Sequence, residues 1–157
     1  MEKIKWCLKV KNGIESVEPN DNLAHAYIKK AEESLEAMRL TKGSRDWHVS
    51  TAYYTMYFSL YSILIKIGIK CEIHSCTLEV MKTLLPAYFN EEEYKFLNKS
   101  LQSRIDAQYY VNRTVADEQL ENMTKRAPKF LVKCKDILFK LTESEIRDIR
   151  DKISNMH

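Results

Sequence analysis

Apolar residues recur at three- and four-residue intervals along most of the chain, and each such run is bounded by residues suited to a helix end. Leu23, Tyr27, Ala31, Leu35 and Met38 share one stripe behind Glu18-Pro19-Asn20-Asp21, whose turn and cap chemistry opens a first helix. Thr41-Lys42-Gly43-Ser44 interrupts that run, and a second helix is predicted from about Asp46 to Ile67, with Gly68 as its stop. There Val49, Tyr53, Met56, Leu60, Ile63 and Ile67 form one stripe, while Tyr54, Tyr57, Tyr61 and Leu64 widen it around the cylinder. A helix apolar on most sides must be enclosed by neighbours or by a second chain.

A short third helix is predicted from Ser75 through Leu78, Met81 and Leu85, ended by Pro86, which cannot donate a backbone hydrogen bond. Asn90-Glu91-Glu92-Glu93 has the form of a capping box and opens a fourth helix carrying Tyr94, Leu97 and Leu101. A fifth begins near Asp117 and carries Leu120, Met123, Phe130, Cys134, Ile137 and Leu141, with a kink or restart expected at Pro128. Thr142-Glu143-Ser144-Glu145 is a second capping box and starts a terminal helix over about 143–156. The pattern therefore predicts one all-α domain over residues 1–157. It is an antiparallel bundle of five or six helices preceded by a short basic segment, 1–18.

Composition narrows the chemistry. Three glycines and three prolines among 157 residues are too few for a many-stranded sandwich or barrel, and they leave no glycine cluster for a Walker or dinucleotide-binding loop. A formal charge of +3 and a pI near 8.6 are too mild to establish nucleic-acid binding by themselves. The apolar stretch from Val49 to Ile69 carries Lys66, several hydroxyls and four tyrosines, which reads as a buried central helix rather than a membrane span. The N-terminus lacks the pattern of a secretory signal, so Cys7, Cys71, Cys76 and Cys134 are expected to be reduced thiols of a cytoplasmic protein.

Cys71-Glu72-Ile73-His74-Ser75-Cys76 gathers two thiols and an imidazole, but a second ligand pair is missing, so no resident metal or other cofactor is expected. His74 reads as a helix-start residue, and the tyrosines of the second helix read as core, with base stacking as the alternative. Lys125, Lys129 and Lys133 repeat every four residues on one helix face, either a solvated face or a stripe able to follow a phosphate backbone. The segment from Ser103 to Val111 is the most unusual. Arg104 lies one turn from Gln108 and close to Tyr109 and Tyr110, a guanidinium able to hold a phosphate beside phenols able to exchange a proton.

Four segments together resemble the HEPN (higher eukaryotes and prokaryotes nucleotide-binding) domain family: Asn22 to Ala31, Ala52 to Tyr57, Ile67 to His74, and Arg104 to Tyr110. The resemblance implies a helical bundle that pairs as a homodimer, so that two copies of an Arg, four to six residues, His motif face one cleft. It also implies RNA or nucleotide binding and, in active members, metal-independent ribonuclease activity of the toxin-antitoxin kind, with a small nucleotidyltransferase as partner. Arg104 matches the motif arginine. After four, five and six intervening residues stand Tyr109, Tyr110 and Val111, so Tyr109 occupies the histidine position. The expected catalytic pair is accordingly Arg104 and Tyr109, with Tyr110, Lys125, Lys129 and Lys133 as RNA-binding residues. Tyrosine is a poor base at its ordinary pKa near 10, which makes a non-catalytic interaction subunit the alternative.

Overall fold

The computed structural model describes residues 2–157. In chain order it contains α1 (Glu2–Lys9), β1 (Glu15–Ser16), α2 (Asp21–Leu40), α3 (Arg45–Ile67), β2 (Ile69–Lys70), α4 (His74–Leu84), α5 (Glu91–Tyr109), α6 (Asp117–Lys140) and α7 (Glu143–Ser154). The seven helices among the described residues exceed the expected five or six, because the basic opening itself folds as α1. The all-α bundle is as expected apart from β1 and β2, which pair antiparallel with Glu15 opposite Lys70.

The pattern of α3 dictates its place. Fifteen of its 23 residues are buried, and α2, α5 and α6 pack around it. Its buried hydroxyls turn back onto their own helix: Thr55 donates to the Thr51 carbonyl at 2.8 Å and Ser59 to that of Thr55 at 2.6 Å, so no water is needed. Lys66 brings a charge to this apolar helix by reaching its end, where Nζ donates to the Leu138 carbonyl at 2.7 Å and lies 3.4 Å from Asp21. No helix among the described residues is long and apolar enough to cross a membrane.

The helix ends follow their local sequence. Asn90 accepts from the Glu93 N–H at 2.8 Å while Glu93 accepts from the Asn90 N–H at 3.1 Å, and Thr142 with Glu145 repeats the arrangement. Gly68 ends α3 at φ 91°, and a β-carbon there would collide with the Val17 carbonyl oxygen and the Arg150 guanidinium. Arg150 Nη1, from α7, lies 2.8, 3.1 and 3.0 Å from the carbonyl oxygens of Val17, Ile67 and Gly68, capping the negative end of α3.

One expectation is narrowed and another corrected. Pro128 lies inside a continuous α6, which removes the restart as one of the two outcomes expected there. The lost backbone bond costs about 3 kcal/mol or more in a free helix, and burial of Met123, Ala127, Phe130 and Leu131 on both sides of the proline offsets it. Nor are all four cysteines free. Cys7 and Cys76 form a disulfide with Cα atoms 5.6 Å apart, leaving Cys71 and Cys134 as buried thiols. The reason is α1: Ile4 and Cys7 lie one turn apart on its buried face, and α1 packs on α4. The disulfide removes the cysteine argument for a cytoplasmic location.

Candidate functional site

Arg104 lies on the stripe that α5 turns inward with Leu97, Leu101 and Ala107, so a guanidinium stands where the helical pattern calls for an apolar side chain. It is 8% exposed. Its Nη1 donates to the Tyr54 hydroxyl at 3.3 Å and to Gln108 Oε1 at 3.2 Å, both neutral acceptors. No carboxylate among the described residues is within ion-pair distance of Arg104, and its buried Nε–H has no acceptor. Aromatic faces surround the charge instead, with Cζ 5.4 Å from the ring centre of Tyr53, 5.5 Å from Tyr54 and 5.9 Å from Tyr109.

Of these tyrosines, Tyr53 and Tyr54 come from α3 and Tyr109 from the end of α5. Tyr53, Tyr57 and Tyr61 stack at successive turns with centroids 5.7 and 5.9 Å apart, and Tyr54 stacks on Phe58 at 5.4 Å. His74, the first residue of α4, closes the cluster. Its ring lies flat on Tyr57 at 3.9 Å and 5°, meets Tyr54 edge-on at 6.1 Å, and places Nδ1 2.9 Å from the Tyr53 hydroxyl. Burial, and then the nearby Arg104 charge, lower its pKa to about 4, so at neutral pH the ring is uncharged. Burial holds the Tyr53 phenol well above its ordinary range, with Tyr57 acting in the same direction and Arg104 opposing. The phenol and the ring are therefore hydrogen-bonded to each other as neutral groups, and the His74 tautomer sets which of them donates.

Two clefts flank this cluster, each lined by one acceptor of the Arg104 Nη1. Tyr54 lines a cleft of about 460 Å³ with Lys30, Ser34, Thr51 and Phe58, and Gln108 lines one of about 170 Å³ with Trp47 and Ser50. The charge thus lies behind side chains that a ligand in either cleft would touch.

Of the residues singled out from sequence, Arg104 and Tyr109 come together, and Tyr109 is 65% exposed at the edge of the cluster. Tyr110 goes elsewhere. The Arg113 guanidinium covers its ring at 3.7 Å while also pairing with Asp106 at 3.0 Å. The lysine stripe is divided: Lys125 pairs with Glu121 at 2.9 Å and Lys133 with Glu93 at 2.8 Å. Lys129 is exposed beside a cavity of about 160 Å³ lined by Phe96, Arg126 and Phe130. Phe96 precedes Arg104 by eight residues on α5, which separates the stripe from the arginine by about 12 Å along the helix.

Tyr53, Tyr54 and His74 are the site residues that pattern reading passed over, because helical spacing assigns tyrosines to a core and a lone histidine to a helix start. The available signal was chemical: several phenols on one buried helix face need hydrogen-bond partners, and His74 is the side chain nearest the α4 start that can accept.

Compared with known proteins, no curated protein matches the chain. A domain profile, that of the HEPN domain, matches residues 24–137, a span that runs from α2 through most of α6 and contains Tyr53, Tyr54, His74, Arg104 and Tyr109. With well over half of its length matched, and with the helical architecture already described, the chain belongs to the HEPN domain family.

Proposed function

We propose that the Arg104 cluster is a phosphate-binding site, and that the protein binds RNA or a nucleotide there as a homodimer. One observation carries the reading: a guanidinium nine-tenths buried, with an unpartnered Nε–H and only neutral acceptors. A buried charge without a counter-charge is costly, and an anion with several oxygens would supply both the missing charge and the missing acceptor. The aromatic faces of Tyr54 and Tyr109 beside it suit a base or sugar attached to that phosphate. Lys129 of α6, exposed beside Phe96, which lies about two turns before Arg104 on α5, would add a distant contact to an extended strand.

The homodimer rests on the surface next to the site. Trp47, which lines the Gln108 cleft, is 63% exposed, and Tyr109 and Val111, next in sequence after Gln108 and Tyr110, are 65% and fully exposed. A second copy covering them would bring two Arg104 side chains toward one groove.

Cleavage is the finer step. Metal-independent ribonuclease chemistry of a toxin would use Arg104 to stabilise charge on phosphorus and the Tyr109 hydroxyl to transfer a proton. The contrary reading is an interaction subunit, docking a small nucleotidyltransferase or another protein. It is favoured by the state of the one histidine in the cluster, which is neutral and occupied by Tyr53. Incubating purified protein with mixed RNA in EDTA, beside Arg104→Ala and Tyr109→Phe, separates these. Cleavage lost in both variants supports the toxin, while RNA binding without cleavage supports the binding module. Cleavage that persists in Arg104→Ala would remove Arg104 from the chemistry.

A further inference from the structure

Among the contacts of Arg104, the ring of Tyr53 is held by a side chain outside the arginine's own helix. Tyr53 is fully buried, and its hydroxyl has one partner among the described residues, His74 Nδ1. His74 in turn touches three of the rings around the cluster, stacking on Tyr57 and Tyr53 and meeting Tyr54 edge-on. The turn that carries it is fixed twice. The backbone N–H groups of Cys76 and Thr77 both donate to the Ile73 carbonyl, at 3.0 and 3.1 Å, and Cys76 is bonded to Cys7 of α1.

We propose that His74 is a positioning residue of the anion site: by its hydrogen bond to the Tyr53 hydroxyl it sets the ring against which the Arg104 guanidinium lies. The inference rests on the phosphate-binding reading for its function, but its geometry stands apart from it. A phenylalanine at position 53 would fill nearly the same space. The hydroxyl adds a direction, because a buried O–H must meet its acceptor or lose the bond. Whichever of the two donates, the His74 ring is uncharged at neutral pH, so it orients Tyr53 without adding positive charge next to Arg104.

A merely structural pair would behave differently from a positioning pair, and Tyr53→Phe combined with His74→Phe distinguishes them. That double variant keeps three stacked rings and creates no orphaned polar group beyond the Arg104 Nε–H already present, so it should fold cooperatively. Two quantities are read: solvent exchange of the Arg104 Nε–H by NMR in the free protein, and affinity for a short fluorescent RNA. Positioning predicts exchange faster on the order of tenfold and affinity weaker by about fivefold, the value of one net hydrogen bond. His74→Gln, which retains an acceptor oxygen, should recover most of both. If the double variant does not fold, Tyr53→Phe alone carries the same expectations. Unchanged Arg104 exchange and unchanged affinity would overturn the role of His74. If the wild type binds no RNA, the phosphate reading fails on its own and the Arg104 exchange rate still decides the positioning.

Discussion

Arg104 sits where a leucine would satisfy the pattern of α5, and the cost of that choice is measurable. Replacing a buried, poorly compensated charge with an apolar side chain of similar reach commonly leaves stability unchanged or raises it by about 1–4 kcal/mol. Arg104→Leu is therefore expected to unfold at an equal or higher denaturant concentration than the wild type, read by circular dichroism, while losing RNA affinity. A second expectation concerns His74. Its folded pKa, about 4, lies below the ordinary histidine value of 6.5, so between those values the unfolded chain binds more protons than the folded one. Stability should be level above pH 6.5 and fall as pH drops toward 4, and His74→Gln should flatten that fall. Denaturant midpoints at several pH values check this, and an identical slope in His74→Gln would show that other groups cause it.

At the scale of elements, the long helices were legible because periodicity and caps agreed. The boxes at Asn90 and Thr142 and the stop at Gly68 stand where the residues placed them. Less legible were α1, whose eight residues are too short for a clear stripe, and the continuity of α6 through Pro128, which depends on burial that only the assembled bundle supplies. The Cys7–Cys76 pairing was hidden for the same reason, since 69 residues separate its halves. Closing a loop of that length is worth about 4 kcal/mol in the chain-entropy picture. Cys7→Ser with Cys76→Ser should accordingly lose about 2–4 kcal/mol in chemical denaturation, and a loss below the measurement error would mean that the two sulfurs do not pair in solution. Gly68→Ala should also destabilise, by about 1 kcal/mol or more, because an L-residue at positive φ is strained and its methyl would meet Val17 and Arg150.

Across the whole molecule, the bundle brings three separate stretches of chain to one point: Tyr53 and Tyr54 from α3, His74 from α4, and Arg104, Gln108 and Tyr109 from α5. Arg104 and Tyr109 were singled out through the motif spacing of the family the chain resembles, which is local because both lie on one helix. The rest of the site depends on how α3, α4 and α5 cross, which no spacing within one segment encodes. The surrounding exposed Trp47, Tyr109 and Val111 predict association. Light scattering across the micromolar range should give twice the 18.5 kDa chain mass, and a constant single-chain mass would count against a shared groove.

The central claim is that a buried, unpaired guanidinium exists to receive a phosphate, and equilibrium binding of a fluorescent RNA to wild type and Arg104→Leu at matched salt tests it most directly. The variant, folded and at least as stable, should lose binding by tenfold or more, as removal of a charge-assisted contact of about 1.5–3 kcal/mol would require. Equal affinity in the two proteins would contradict it.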